Sequence, residues 1–183
     1  PLAEVFDRWL RREQEKLATV EPRNGGWPSA RIVLLKDLES RGAVFYTNRT
    51  SRKGRELAAD PRAALLFHWD VLDRQVRIEG AASEVSDEES DAYFASRPRE
   101  ARIGAWASRQ SEPVANRAAL QKAVVDAERR FGKGDVPRPP HWGGYRVSLD
   151  SIEFWQGDKF RLHDRVVYTP DGQGGWSTQR LFP

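Results

Sequence analysis

The 183-residue chain contains no cysteine and no methionine, and no apolar run approaches the length of a membrane-spanning helix. The absence of cysteine rules out disulfides, thiolate nucleophiles and zinc–cysteine sites, and it fits a protein of a reducing compartment. A membrane span requires about 20 consecutive apolar residues, and the first residues have no signal-peptide character. We therefore expect a soluble, cytoplasmic protein without a membrane partner.

The sequence also lacks the short motifs of several common enzyme classes. It has no G-x-S-x-G, no P-loop and no H-E-x-x-H, and its three histidines, His68, His141 and His163, are far apart. We therefore expect no metal site. Basic and acidic residues, 30 against 27, are interleaved and give a net charge of only +3, which argues against a nucleic-acid partner.

The spacing of apolar residues predicts at least five strands before any long helix. Short or alternating apolar runs predict strands at 17–20, 30–35, 43–47, 63–69 and 74–84, the first two joined by a turn at Asn24-Gly25-Gly26. Helical spacing and capping residues predict helices at 2–12, 52–59, 86–96, 99–107 and 114–131, the last following the cap Ser111-Glu112-Pro113.

This order of elements predicts a fold class that is mainly β with inserted helices (α+β), arranged as a barrel. A chain of this length suits one domain, 1–183. Within it we expect an N-terminal helix at 1–12, a helical insertion at 86–131 and C-terminal strands at 142–183 that carry site residues.

The stretch 142–165 is the richest in aromatic, glycine and arginine residues. Two strands are predicted there around a turn at Leu149-Asp150-Ser151, and Gly157-Asp158 indicates another turn. Beyond that turn, a continuing strand would place three alternate side chains on one face: Arg161, His163 and Arg165. Such a face suits an anionic or planar ligand, and the alternative is an ordinary strand with one solvated side.

Basic residues recur in pairs near predicted strand and helix ends, where they suit two separate anions. The pairs are Arg31 and Lys36, Arg52 and Lys53, Arg97 and Arg99, and Arg161 and Arg165. An arginine contact to phosphate is worth about 1.5–3 kcal/mol. The second pair follows Ser51 at a helix start, where backbone N–H groups also favour phosphate, the alternative being a solvated helix end. Nearby aromatic residues can flank a planar ring or fill the core: Trp106, Trp142, Tyr145 and Trp155.

A series of ordered short segments carries a family resemblance. The segments are Arg31-Ile-Val-Leu-Leu-Lys36, Phe45-Tyr-Thr-Asn48, Ser51-Arg-Lys53, Asp73-Arg-Gln75, Ser96-Arg-Pro-Arg99, Ile103-Gly-Ala-Trp106, Ser108-Arg-Gln-Ser111, Trp142-Gly-Gly144, Glu153-Phe-Trp-Gln-Gly157, Arg161-Leu-His-Asp-Arg165 and Arg180-Leu-Phe-Pro183. In these segments the chain resembles the FMN-dependent pyridoxine (pyridoxamine) 5′-phosphate oxidases, and the resemblance covers about 17–183.

The resemblance implies a split β-barrel homodimer with two FMN sites at the subunit interface. By position, the residues implied to bind FMN are Arg31, Ile32, Val33, Leu34, Leu35, Lys36, Tyr46, Thr47, Arg52, Lys53, Gln75, Gln110, Ser111, Trp155 and Arg165. Of these, Arg52 and Lys53 would bind the FMN phosphate. Residues matching Lys36, Tyr93 and Arg97 hold the substrate phosphate in the family, and those matching Arg161 and His163 close over the substrate ring.

The reaction implied is oxidation of pyridoxine 5′-phosphate or pyridoxamine 5′-phosphate to pyridoxal 5′-phosphate. Hydride passes from the 4′ carbon to flavin N5, and O2 then reoxidises the flavin and yields H2O2. As catalytic residues we expect Arg161, a permanent cation that stabilises developing negative charge, and His163, which orients the substrate. Two alternatives stay open: a flavin oxidase of the same fold acting on another substrate, as in phenazine biosynthesis, and a non-catalytic carrier of flavin or pyridoxal phosphate.

The chain departs from the family pattern at two places. Ala101 stands where the family usually has a serine that contacts the substrate phosphate, so one hydroxyl donor is missing. Between the first predicted helix and Leu17, the family's short segment with an acidic residue, proline, alanine and methionine is absent. Because the chain also lacks methionine altogether, we expect that residues have been lost from the sequence between Arg12 and Leu17.

Overall fold

Strands dominate the part of the chain that the structure, a computed structural model, describes: residues 14–21 and 26–183. Its strands are β1 Gln14–Glu21, β2 Trp27–Glu39, β3 Gly42–Asn48, β4 Arg62–Trp69, β5 Arg74–Glu84, β6 Trp142–Val147, β7 Ser151–Gln156, β8 Asp164–Pro170 and β9 Trp176–Leu181. Its α-helices are α1 Arg52–Ala59, α2 Asp87–Ser96, α3 Arg99–Ala107 and α4 Arg117–Phe131. Three predictions involve residues outside this described part. They are the helix at 2–12, Asn24 and Gly25 of the hairpin turn, and the loss of residues between Arg12 and Leu17, where Arg12 and Glu13 are not described.

These nine strands form one antiparallel sheet in the order β4-β1-β2-β3-β6-β5-β7-β8-β9. Because β4 pairs with both β1 and β5, ladders connect β1 to β6 in a ring. On its other edge β5 pairs first with β7, over Arg74–Glu79, and then with β6, over only Ala82–Glu84. The barrel divides at this point, and β7, β8 and β9 extend beyond it. The split barrel expected from the sequence is confirmed.

The core fills the inside of this ring. Alternation places Leu65 and Phe67 of β4 and Val76 and Ile78 of β5 at 0% exposure, while residues between them face outward. Burying each large apolar side chain contributes about 1.5–3 kcal/mol. A second cluster packs α3 against α4 through Ile103 and Ala127, so the helical insertion has its own apolar contact. Among the described residues, no helix combines the length and the apolar character that crossing a membrane requires.

Helices α1 and α3 begin at the residues that the sequence predicts, and α2 begins one residue later, directly after its cap Ser86. Ser51 accepts a hydrogen bond from Gly54 N and caps α1, and Ser86 accepts one from Glu89 N and caps α2. The predicted start of the last helix is wrong. That helix begins at Arg117 because Asn116 caps it by accepting from Ala119 N at 2.9 Å, whereas Ser111 has a φ of +73° and cannot begin a helix.

Gly54 offers a test of how tightly the start of α1 is held. A Cβ at this position would lie 2.1 Å from the Arg49 carbonyl oxygen, so Gly54→Ala should destabilise the fold by about 1–3 kcal/mol although alanine favours helices. Gly104 in α3 is the matched control, because a Cβ there meets nothing within 4 Å and Gly104→Ala should stabilise by up to about 1 kcal/mol. Urea unfolding measures both. Equal stabilisation by the two substitutions would contradict the rigid contact.

Candidate active site

Three basic or polar side chains meet at the start of α1. Lys53 Nζ donates to Thr47 Oγ1 at 3.1 Å and to Gln110 Oε1 at 2.9 Å. Thr47 also donates to Gln110 Oε1, at 3.2 Å. The end of β3, the first turn of α1 and the segment after α3 therefore converge, and they bring together three residues that the resemblance implies for FMN. Ser111, the next implied residue, is exposed and has a positive φ.

Lys53 is unusual for a lysine because its side chain is buried, with only 9% of the residue exposed. The pKa of Lys53 is lowered to about 8, chiefly by burial and also by the positive charge of Arg31, while the negative charge of Glu56 partly opposes both. A phosphate group placed against this ammonium would favour its charged form. The corner at the start of α1 is therefore suited to bind an anion.

Arg31 and Arg52 reach the same corner through Glu56, a residue that our sequence reasoning missed. Glu56 Oε2 accepts from Arg31 Nη2 at 2.7 Å and from Thr19 Oγ1 at 2.5 Å, and Oε1 accepts from Arg52 Nε at 2.7 Å. Burial alone would raise the pKa of Glu56, but hydrogen bonds from these three residues outweigh it and lower the pKa. The only sequence signal was the i,i+4 spacing from Arg52.

A stack of aromatic rings forms a second group. The ring of Tyr46 lies 4.1 Å from that of Tyr93 and 5.4 Å from that of Trp142, all nearly parallel. The Arg97 guanidinium lies 4.9 Å from the Trp142 ring, and Lys36 Nζ lies 5.9 Å from the Tyr93 ring. The structure thus brings together Lys36, Tyr93 and Arg97, the residues that the resemblance implies for the substrate phosphate.

Arg97 carries an unsatisfied hydrogen-bond donor. Its Nη1 is shielded from solvent and has no hydrogen-bond partner among the described residues, and burial lowers the pKa of Arg97. A buried unpaired donor is costly, so an anion bound here would be stabilised. Ala101, in the first turn of α3, supplies no side-chain donor.

A third group lies on the β5, β7 and β8 part of the sheet. Gln75 faces Trp155 across one ladder, and Trp155 faces Arg165 across the next, so the three side chains form one row on one face. Arg165 Nε donates to Glu153 Oε1 at 2.7 Å, and Arg77 Nη2 donates to Glu153 Oε2 at 2.5 Å. Hydrogen bonding from Arg165 lowers the pKa of the buried Glu153. The negative charge of the Glu153 carboxylate and the position of the Arg165 guanidinium therefore depend on each other.

The prediction that Arg161, His163 and Arg165 leave one strand on one face is wrong. Residues Lys159–Arg161 form a 3-10 turn in which Phe160 and Arg161 have φ of +58° and +63°, and β8 begins only at Asp164. The Asp158 side chain accepts from Lys159 N, and its backbone N–H donates to His163 Nδ1 at 3.2 Å. These local bonds replace the strand ladder.

His163 nevertheless contacts the third group, through its ring. Its ring centroid lies 4.6 Å from that of Trp155. Because Nδ1 accepts the backbone N–H of Asp158, the neutral imidazole carries its proton on Nε2. Arg161 is exposed in the adjacent turn, two residues before His163, so of the two expected catalytic residues it is His163 that contacts the row of Gln75, Trp155 and Arg165.

The β2 segment implied to line the flavin presents its side chains in two directions. Val33 is buried in the core and Leu35 packs against it, whereas Ile32 and Leu34 are 59% and 49% exposed. Lys36 is also exposed. This alternation follows from the strand geometry, so only half of these side chains can face any one ligand.

The donor sets fit two phosphate groups and a planar ring. Lys53, Arg31 and Arg52 supply cations at one point, and Arg97 with Lys36 supplies them at another. Within the described residues, no group of three or more histidine, aspartate or glutamate side chains is placed to hold a metal ion. These features suit FMN and a phosphorylated substrate.

Comparison with known proteins gives the same result. Residues 4–130 match the family described as Pyridoxamine 5'-phosphate oxidase, and residues 142–183 match that described as Pyridoxine 5'-phosphate oxidase C-terminal dimerisation region. The chain is 61% identical to the pyridoxine/pyridoxamine 5'-phosphate oxidase of Bordetella petrii over 167 residues, 91% of this chain and 78% of the relative. It is 52% identical to the protein of that name from Caulobacter vibrioides over 188 residues, 98% of this chain and 83% of the relative.

Two solved structures share the fold. PhzG from Burkholderia lata, solved in complex with tetrahydrophenazine-1-carboxylic acid, superposes with a TM-score of 0.87 at 32% identity, covering 100% of this chain and 89% of that one. A pyridoxamine 5'-phosphate oxidase-related, FMN binding protein from Nostoc punctiforme gives a TM-score of 0.74 at 17% identity, covering 100% and 95%. The resemblance, the fold, the oxidase class and FMN as the family's cofactor, all expected from the motifs, are confirmed.

Proposed function

Because the chain belongs to the pyridoxamine 5′-phosphate oxidase family, we propose that it oxidises pyridoxine 5′-phosphate or pyridoxamine 5′-phosphate to pyridoxal 5′-phosphate with O2. The observation that carries the proposal is the second group of the site. Arg97 has a buried Nη1 that finds no hydrogen-bond partner in the described part of the chain, and its guanidinium lies beside the aromatic stack of Tyr46, Tyr93 and Trp142. This arrangement supplies a cation for a substrate phosphate and flat surfaces for a substrate ring.

Bound FMN would supply the redox chemistry: it would accept one hydride, which carries two electrons, from the 4′ carbon, while a proton leaves the substrate, and it would pass the two electrons to O2, which takes up two protons to give H2O2. The chain's own residues bind and orient. Lys53, Arg31 and Arg52 would hold the cofactor phosphate, and Arg97 and Lys36 the substrate phosphate. His163 would donate from Nε2, because its Nδ1 is already engaged by Asp158 N. Arg161, always cationic, would stabilise negative charge on the substrate.

The proposal includes a homodimer with FMN between two chains. The first group lies around β2, β3 and α1, whereas the third lies on β5, β7 and β8, and two strands separate β3 from β7 in the sheet. At about 4.8 Å per strand, one chain does not easily wrap both groups around a single ring. The match of residues 142–183 to a dimerisation region supports a second copy. Monomers obtained by dilution that keep full FMN affinity would contradict this arrangement.

The experiment that tests the function is a peroxide assay on the FMN-loaded protein. Pyridoxine 5′-phosphate and pyridoxamine 5′-phosphate should each yield H2O2 and pyridoxal 5′-phosphate, and unphosphorylated pyridoxine should react far less well because the Arg97 site stays empty. Tetrahydrophenazine-1-carboxylic acid tests the same-fold alternative that the likeness to PhzG raises. Peroxide from this acid alone would overturn the proposed substrate, and FMN binding without any peroxide would indicate a carrier.

A further inference from the structure

Glu56 connects three elements at the corner where the FMN phosphate would bind. Its side chain accepts hydrogen bonds from Thr19 on β1, from Arg31 on β2 and from Arg52 on α1 itself. Only 3% of the residue is exposed. A carboxylate so deeply buried is tolerated only when charged and polar partners satisfy it, and here two of those partners are arginines implied for FMN.

The charge of Glu56 lowers the net positive charge of this corner. Arg31, Arg52 and Lys53 are three cations in close proximity, and Glu56 leaves the cluster with a formal charge of +2. A phosphate monoester carries about −1.5 to −2 at neutral pH, so the cluster matches it in charge. Without the carboxylate the cations would repel one another, and Arg31 and Arg52 would each lose a charged acceptor that orients the guanidinium.

The contacts also fix the plane of the Arg31 guanidinium and anchor that of Arg52 at one atom. Arg31 donates through Nη1 to Thr19 Oγ1, and through Nη2 to Ser29 Oγ at 2.8 Å and to Glu56. Arg52 donates through Nε, and its side chain is 50% exposed, so it extends from a buried anchor towards solvent. Orientation that exists before binding lowers the entropy lost when a ligand binds.

We propose that Glu56 is a positioning residue that holds Arg31 and Arg52 in the orientation that binds the FMN phosphate. The inference rests on the proposed FMN site and assigns Glu56 no contact with the substrate. The proposal predicts a difference between two flavins. Only a flavin with a phosphate should depend on Glu56, whereas riboflavin, which has the same ring and no phosphate, should not.

The test compares FMN with riboflavin on the same variant. Glu56→Gln keeps the side-chain volume but replaces one acceptor oxygen with an NH2 group that faces an arginine. We expect its Kd for FMN to rise about tenfold or more, while its Kd for riboflavin stays within about twofold of the unmodified protein. Quenching of flavin fluorescence measures both constants, independently of enzyme activity.

Glu153→Gln is the matched control. Glu153 is likewise a buried carboxylate with two arginine partners, but it lies on β7 beside Arg165. Its loss should change the affinities for FMN and riboflavin by similar factors. Glu56→Asp is a second variant in case Glu56→Gln does not fold, since it keeps the charge but is one carbon shorter, and it should also weaken FMN selectively.

Three results would overturn the inference. If Glu56→Gln weakens FMN and riboflavin equally, the residue is only structural. If FMN binds more tightly, Glu56 competes with the phosphate for the arginines instead of positioning them. If both variants keep the unmodified ratio of the two affinities, the residue has no role in phosphate binding. Failure of the proposed function is a separate result, because an FMN-binding protein that makes no peroxide would still give this ratio.

Discussion

Arg97→Ala is expected to raise the KM for pyridoxamine 5′-phosphate about ten- to a hundredfold, with kcat and the Kd for FMN changing little. Arg97 would contact the substrate phosphate through a buried Nη1 that has no partner among the described residues, and a charge-assisted contact is worth about 1.5–3 kcal/mol. The phosphate lies away from the reacting carbon, so its contacts stabilise the ground and transition states alike and change KM. Steady-state peroxide production measures both constants.

Arg99→Ala is the control, because Arg99 is also an arginine at the junction of α2 and α3. Its Nη1 and Nη2 donate to the carbonyl oxygens of Gly134 and Gly132, so it ties α3 to the segment after α4 and is not directed at a ligand. We expect Arg99→Ala to lower the melting temperature and leave KM unchanged. If Arg97→Ala instead released FMN and kept its KM, the assignments of the two phosphates would be reversed.

The parts of the fold that could be predicted from the sequence are those controlled by local patterns. The bounds of α1 follow from its serine cap and from the proline after its end. The bounds of β5 follow from the regular alternation of apolar and polar residues. The strand through Arg161 could not be predicted correctly, because alternation of charged and apolar residues also occurs in an irregular turn. In that turn the Asp158 side chain accepts from Lys159 N, and the Asp158 backbone N–H donates to His163 Nδ1. Phe160 and Arg161 have left-handed backbone conformations, which interrupt the strand ladder.

The candidate site shows a similar division. The motifs identified the arginines and lysines that are expected to meet ligands, because charged residues at element ends stand out in a sequence. The roles of the carboxylates that hold them were not predicted, although Glu153 begins one of the motif segments. Glu56 follows Arg52-Lys53-Gly54-Arg55 in α1, and Glu153 lies between Ile152 and Phe154 in β7. Only the packing of separate strands and α1 shows that each accepts from two arginines.

FMN affinity should fall as the pH rises through about 8, and Lys53 is the reason. In the free protein burial holds the pKa of Lys53 at about 8, well below its usual value of 10.5. The FMN phosphate, with a second pKa of about 6, is a dianion throughout the range from pH 7 to 9, and it raises the lysine pKa in the complex. Binding above pH 8 must therefore take up a proton. We expect the Kd for FMN to be about tenfold higher at pH 9 than at pH 7.

Deprotonation of Lys53 would not produce this result by unfolding the protein, since the contribution of Lys53 to the stability of the free protein changes in the opposite sense. Between pH 8 and 10.5 the unfolded chain keeps the Lys53 proton while the folded chain has lost it, so this group's contribution to stability increases with pH. Lys53→Arg is the control. Arginine stays charged throughout this range, so the variant's Kd should be nearly independent of pH from 7 to 9. Fluorescence titration at three pH values measures it, and an equal pH dependence in the variant would assign the effect to another group.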